Sequence, residues 1–487
     1  MMNGAPYIGD AWVHIRFAEE SVRLGRYSFG EYNTQWPLVN LLIALTIMIQ
    51  GISPLLASQI VPVLSGLGAL PFYVMCRRMG LSRSAALFGI TFLSFNPLYT
   101  YFTFSGAVMK EAASYYLVLT LLMFTTLRLR RAKETYLTGV MLGVGLVLGH
   151  HFAALIVALY FCSLLGYRAV DLLRGRGNGL KTLASISATY LLLFVLRNLV
   201  IYWSIGLWFP SFSVSDVLIL AACLISIWSL GFGETKELHG VRAIVAAGTF
   251  AICVLILRGG VLAVLTPTEP ITLPEYRNYA IAGAISILGL VSAMKRLEAR
   301  SLAVPAAGWI MFAFAFSLTE DGLVVFTKAL HYFGILLAVG GAFTAQTICR
   351  RFRTGKFMMA AIAVFLIYAS SFGTLMALKG PGAYSSSEVT SMLQVVPITE
   401  GMKLHGDLRA DFLWFYLTRS RSHLAGLGSI AATPRGGELL LVTATNRQVG
   451  FVLGGGYQWA GPKAILQRLE RHNLLVSSSE VTVLATL

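Results

Sequence analysis

Three carboxylates stand out in this chain of 487 residues: Asp10, Glu111 and Glu269. They are remote from one another in sequence, yet each falls in a connection on the same side of a set of long apolar stretches. Oxygen groups from separate segments can coordinate a divalent cation together. One of them can instead act as a general base toward an acceptor hydroxyl. Each has a plainer reading when taken alone. Asp10 in GDAWVHIRFAEESVRLG is a helix N-cap, Glu111 in SGAVMKEAASYY is a solvated helix end, and Glu269 in LTPTEPITLPEYRN is a rigid surface loop. Their conjunction on one face points to a site, because ionisable groups gathered in a membrane bundle rarely serve stability.

Cations accompany them. His14 and Arg16 lie within a turn or two of Asp10, and Lys110 precedes Glu111. Arg197 and Arg258 lie inside apolar spans, where a charge is costly unless it faces a partner or a polar cavity. Lys328 and His331 open another outward end in FTKALHYFGILLAVGGA. Such groups suit phosphate at a membrane surface, and for any one of them the plain alternative is snorkelling to the interface. His150 and His151 sit together at an outer turn without a third ligand of metal-binding spacing.

The elements that must position these residues are membrane spans. The chain is 56% hydrophobic and 12% charged, where a soluble domain is near a quarter charged. Apolar stretches recur at 55–76, 86–102, 112–127, 136–149, 152–167, 182–203, 214–231, 241–265, 279–294, 302–318, 329–348 and 357–378. That makes about twelve transmembrane helices. Basic connections around 77–83, 128–133, 168–181, 236–242, 295–300 and 350–356 alternate with the acidic ones, and the positive-inside rule makes theirs the cytoplasmic side. The same alternation requires two short spans turning at His150-His151 rather than one long helix. It also makes 37–50 a juxtamembrane helix.

The fold class is therefore an all-α polytopic membrane protein with a small external α/β C-terminal domain. The domains are an external loop with juxtamembrane helices at 1–54, a helical bundle at 55–378 and an extracytoplasmic α/β domain at 379–487. In the last, 439–443, 449–453 and 481–484 read as strands and 463–471 as a helix. The formal charge of +16 is accounted for by the positive-inside pattern, and no basic-aromatic stripe accompanies it, so nucleic acid is not a partner. The five cysteines lie in or beside apolar spans with no CxxC spacing and read as buried hydrophobes.

These motifs together resemble the GT-C glycosyltransferases, polytopic enzymes that use polyprenyl-phosphate-linked sugars. GDAWVHIR is similar to their first-loop acidic motif, and WPLVNLLIALTIMIQGISP to the interfacial helix that follows. Within the class, SGAVMKEA, the element Thr266-Pro267-Thr268-Glu269 and Lys328 resemble features of the catalytic subunit of oligosaccharyltransferase. That family has a span before its first acidic loop, which would bring the count to about thirteen. It also carries a WWD-type acceptor motif; here Trp414 and Trp459 are isolated. The resemblance implies transfer of a sugar or glycan from a lipid-linked donor to a lipid, glycan or protein acceptor at the extracytoplasmic face of the cell membrane. Asp10, Glu111 and Glu269 would be catalytic, with Mg or Mn on the same carboxylates if a metal is used. Lys328, Arg197, Arg258 and Arg277 would hold the donor phosphate. A transporter or lipid flippase is the alternative, although its ionisable groups would sit nearer mid-membrane and its halves would repeat. A non-catalytic scaffold would have no cavity joining the three carboxylates.

Overall fold

The computed structural model describes residues 9–94, 108–126, 132–173, 178–206, 302–303, 305–306, 322–378, 384–399, 402, 404–418, 439–448, 451–453, 458–460, 473–477 and 480–485. Helix α1 is Gly9–Leu24, followed by a 3-10 turn at Tyr32–Thr34. Then come α2 (Leu38–Gln50), α3 (Pro54–Ala57), α4 (Ile60–Leu67), α5 (Ala69–Arg78) and α6 (Arg83–Ser94). Longer helices follow: α7 (Lys110–Thr126), α8 (Ala132–Gly149), α9 (His151–Leu173), α10 (Asn178–Ile205), α11 (Gly322–Arg351) and α12 (Gly355–Leu378). Their apolar sequence dictates this form, since in lipid each backbone N–H and C=O must be paired within its own segment.

Among the described residues four stretches are long and apolar enough to cross a membrane: Pro54–Arg78, His151–Ala169, Leu180–Ile205 and Tyr332–Arg351. The expected spans at 214–231, 241–265 and 279–294, and nearly all of 302–318, lie outside the described residues. The turn at His150 is present, with α8 ending and α9 starting on either side of it. The apolar segment expected along the membrane surface is helical as α2. Pro37 precedes it, where a missing N–H costs nothing. Gly51 ends it at φ +63°, its N–H on the Ile47 carbonyl at 2.8 Å.

Helix α11 packs along α6, α10 along α8 and α9, and α7 along α4, α5 and α8. Phe72, Leu119, Leu146, Tyr160 and Leu336 belong to the core between them. The two ends of this bundle differ chemically. At one, Ser82 N–H donates to Gln346 Oε1 at 2.7 Å, joining the basic α5–α6 turn to the basic end of α11. At the other, α7, α9 and α11 begin: Tyr332 of α11 meets Tyr115 of α7 at 5.8 Å and Phe152 of α9 at 6.4 Å between ring centroids. The 17 residues of α7 separate the ends by about 25 Å.

A second core follows α12. Helices α13 (Ser386–Thr399), α14 (Leu408–Thr418) and α15 (Ala444–Gln448) accompany strands β1 (Leu404–His405), β2 (Leu439–Thr443), β3 (Phe451–Leu453), β4 (Gln458–Ala460), β5 (Asn473–Ser477) and β6 (Val481–Ala485). The sheet order is β1-β2-β6-β5, with β1 parallel to β2 and the other pairs antiparallel; β3 and β4 form a separate antiparallel pair. The expected strands at 439–443 and 481–484 are β2 and β6, and β3 carries the run at 449–453. The expected helix at 463–471 lies outside the described residues. Buried Asp407 organises the β1–α14 junction. One carboxylate oxygen accepts from Ala410 N–H at 2.8 Å, capping α14, and the other accepts from the Asn446 amide at 2.7 Å.

Helix α1 joins the C-terminal core to a third buried cluster built with α2 and the start of α7. Ala11, Ile15 and Ala18, spaced for one helical face, pack with Val39, Ile43 and Ala112. The neighbouring face sends Trp12 into the core of the C-terminal elements, against Tyr384 and Tyr416, while Phe17 meets Phe415.

Candidate functional site

Asp10 is the second residue of α1 and Glu111 the second residue of α7. Their chain neighbours Ala11 and Ala112 share one buried cluster with Val108, so two of the three acidic segments converge. Glu269, Arg258 and Arg277 lie outside the described residues. A carboxylate suits the first turn of α7, where the helix dipole is positive. Lys110 is misplaced by the same rule and is held there by other means. Its ammonium donates to Asn33 Oδ1 at 3.0 Å and stands 5.0 Å and 5.2 Å from the ring centres of Tyr32 and Trp36. Two aromatic faces and an amide oxygen compensate a buried cation.

His14 is buried one turn along α1 from Asp10. Its Nδ1–H donates to Asn40 Oδ1 at 2.7 Å, the Asn40 amide donates to Tyr27 Oη at 2.7 Å, and that hydroxyl donates to the Thr34 carbonyl at 3.1 Å. Burial first, then the charge of Lys110, lowers the His14 pKa to about 3; Asn40 and Glu111 oppose this, and His150 adds to it. His14 is therefore neutral at pH 7 and too weak a base to hold a proton there. Burial likewise pushes the Tyr27 hydroxyl up to about 12. This hydrogen-bonded chain ties α1, α2 and the 27–34 loop into one unit.

The remaining cations divide by their partners. Buried Arg16 is matched within its own helix, 3.2 Å from Glu19 and 3.0 Å from Glu20. Arg197 of α10 donates to the Gln35 carbonyl, while the Gln35 amide donates to Ser204 Oγ at 2.9 Å. Both therefore brace the loop before α2, although the Arg197 Nε has no hydrogen-bond partner among the described residues. Lys328 and His331 lie in the first half of α11, Lys328 one turn before Tyr332 and His331 beside it. That stretch of α11 reaches α7 and α9 through Tyr332, which brings its backbone to the acidic end of the bundle.

Sequence reasoning missed the contacts made by the α8–α9 turn. His150 is fully buried there, and its Nε2 lies 3.2 Å from Glu111 Oε1. His151 packs its ring on Trp36 with centroids 4.6 Å apart. The signal available was the pair of histidines interrupting an apolar run. Asn33, Asn40 and Trp36 carried no such mark. Among the described residues no group of three His, Cys, Asp or Glu side chains stands close enough to hold a metal ion.

No protein-family model matches the chain, and no curated protein sequence is similar to it. Solved structures of related shape do exist. The crystal structure of the Archaeoglobus fulgidus oligosaccharyltransferase in complex with Zn and sulfate aligns with a TM-score of 0.50 at 17% identity, over 85% of this chain and 53% of that one. This chain thus spans about half the length of that enzyme. ArnT from Cupriavidus metallidurans, bound to undecaprenyl phosphate, aligns over 99% of this chain and 94% of its own with a TM-score of 0.38 and 14% identity. At such identities the likeness to the oligosaccharyltransferase is one of fold.

Proposed function

We propose that this chain, which has the fold of the GT-C glycosyltransferases, transfers a sugar or glycan from a polyprenyl-phosphate-linked donor to an acceptor at the extracytoplasmic face of a membrane. One observation carries the reading: on that fold, the helix starts bearing Asp10 and Glu111 converge at the end of the bundle opposite its basic turns. The acceptor hydroxyl attacks the anomeric carbon of the donor, the bond from that carbon to the phosphate oxygen breaks, and the acceptor proton passes to Asp10. Glu111 and Glu269 complete the acidic wall. Lys328, with Arg258 and Arg277, takes the developing charge on the leaving phosphate, the largest electrostatic demand of such a step. Lys110 and Arg197 are proposed to shape this cradle through the 32–36 loop they hold.

The related oligosaccharyltransferase forms a complex with Zn and sulfate. A divalent ion on Asp10, Glu111 and Glu269 would need all three carboxylates. Of these three, Glu269 lies outside the described residues. The reading is tested with the purified chain in nanodiscs and radiolabelled polyprenyl-phosphate sugars, scoring label transferred to membrane acceptors. Asp10→Ala is expected to abolish transfer while the protein remains folded. Wild-type transfer by that variant would refute the role.

A further inference from the structure

We propose that His150 is a positioning residue for Glu111, holding that carboxylate through an imidazole whose tautomer is set by a helix cap. The inference rests on the reading of Glu111 given above. His150 is where two helices meet. Its N–H closes α8 on the Leu146 carbonyl at 3.2 Å, and its carbonyl opens α9 by accepting from Ala154 N–H at 2.9 Å. Its ring completes the cap, because Nδ1 accepts from Ala153 N–H at 3.3 Å. That is the N-cap geometry ordinarily supplied by Ser, Asp or Asn.

The cap decides where the proton sits. A backbone N–H can only donate, so Nδ1 must present its lone pair, and a neutral ring then carries its hydrogen on Nε2. That nitrogen faces Glu111 Oε1 at 3.2 Å. The N–H is not aligned on the oxygen, so the contact is electrostatic rather than a full hydrogen bond. His14 has the reverse arrangement, donating from Nδ1. The two histidines therefore present opposite ring nitrogens as donors.

Packing leaves the His150 ring one place to be. It has no exposure, and the rings of His151 and Phe152 stand 4.6 Å and 6.5 Å away between centroids. The preceding residue lets the turn approach this closely. A Cβ on Gly149 would lie 2.9 Å from Ser114 Oγ and 3.0 Å from Leu38 Cδ2. Glycine thus seats the end of α8 against α7 and α2, and the ring lands on the first turn of α7. Outer partners of metal-ligating carboxylates typically cost about 10–100-fold in activity when lost, and the same scale is expected for this contact.

The two jobs of the ring can be separated. His150→Asn keeps the cap, since asparagine is among the strongest N-caps, but its short side chain does not reach Glu111. In nanodiscs with polyprenyl-phosphate-linked radiolabelled mannose, glucose and N-acetylglucosamine, H150N is expected to melt as the wild type does. Its kcat should fall about 10–100-fold while the donor KM stays within about twofold. The double variant H150N/E111Q should be no slower than E111Q alone, because both act through one carboxylate. Independently of turnover, 15N NMR of histidine-labelled protein should report an Nε2–H tautomer for the resonance lost in H150N, displaced in E111Q. Wild-type kcat in H150N beside an inactive E111Q would overturn the positioning role and leave Glu111 standing. Wild-type transfer by E111Q would overturn both. An Nδ1–H tautomer would overturn the cap argument.

Discussion

Replacing Trp12 by alanine should loosen the C-terminal elements from α1 and leave the membrane bundle intact. Trp12 is 1% exposed and sits in the second core although it belongs to the first helix. Its ring is edge-on to Tyr384 at 5.8 Å and tilted on Tyr416 at 4.8 Å. Truncating a buried Trp to Ala costs about 3–5 kcal/mol, of which each aromatic pair supplies about 0.5–1.5 kcal/mol. Three kilocalories is more than about a 100-fold change in an opening equilibrium. The Phe17–Phe415 pair, 5.6 Å between centroids, remains as an aromatic anchor. Trp12→Phe is the control. The indole N–H has no hydrogen-bond partner among the described residues. Losing it relieves an unpaired buried donor worth about 1–3 kcal/mol, which offsets the smaller ring. Hydrogen exchange in nanodiscs reads the result by segment. Exchange in 9–24 and 408–418 should rise about 100-fold in W12A and little in W12F, with 110–126 and 151–173 unchanged. Transfer should fall with α1, which carries Asp10. Unchanged exchange in both segments of W12A would refute the reasoning, as would a W12F variant as damaged as W12A.

Further outcomes follow from other contacts. His14 has a folded pKa of about 3, below its ordinary 6.5, because burial and then Lys110 disfavour its charged form. The unfolded chain thus binds the extra proton, and the stability from neutral His14 is complete above pH 6.5 and lost as pH falls toward 3, at up to about 1.4 kcal/mol per pH unit. Melting curves of His14→Gln should lack that slope; identical slopes in the two proteins would contradict the assignment. At Gly89 a Cβ would stand 2.8 Å from the Ala342 Cβ and 3.3 Å from the Ala338 carbonyl oxygen. Gly89→Ala should therefore force α6 from α11 at a cost of about 1–3 kcal/mol, seen as a lower detergent melting temperature. Asn446→Ala leaves one oxygen of buried Asp407 without its amide donor while the α14 cap persists. A loss of about 1.5–3 kcal/mol is expected, with exchange rising together in β2 and α14.

Much of the candidate site was legible one segment at a time. GDAWVHIR and SGAVMKEA mark Asp10 and Glu111 because a charge beside a long apolar run is expensive and so conspicuous. The helical break at His150 followed from the charge alternation alone, the strand at 439–443 from a short continuous apolar run and that at 481–484 from its β-branched, alternating residues. The small elements were not legible. Strand β1 is Leu404–His405, too short to show a period, and α14 is apolar on nearly every side. Its burial comes chiefly from α1, a partner that lies far off in the chain.

The amino-acid order by itself pointed to a membrane protein and to the expectation that its acidic and basic connections face opposite ways, because hydropathy and charge are local properties that each segment carries wherever it sits. Which charges are already spent was decided only by the tertiary structure. Arg16 and Arg197 looked equally free in the sequence, yet one is matched by Glu19 and Glu20 and the other bonds the Gln35 carbonyl. The same holds for His150, whose neighbour across the turn is Glu111, 39 positions earlier in the chain. A side chain's electrostatic role depends on distances of a few ångströms between atoms, and those are set by how helices pack rather than by where residues fall along the backbone.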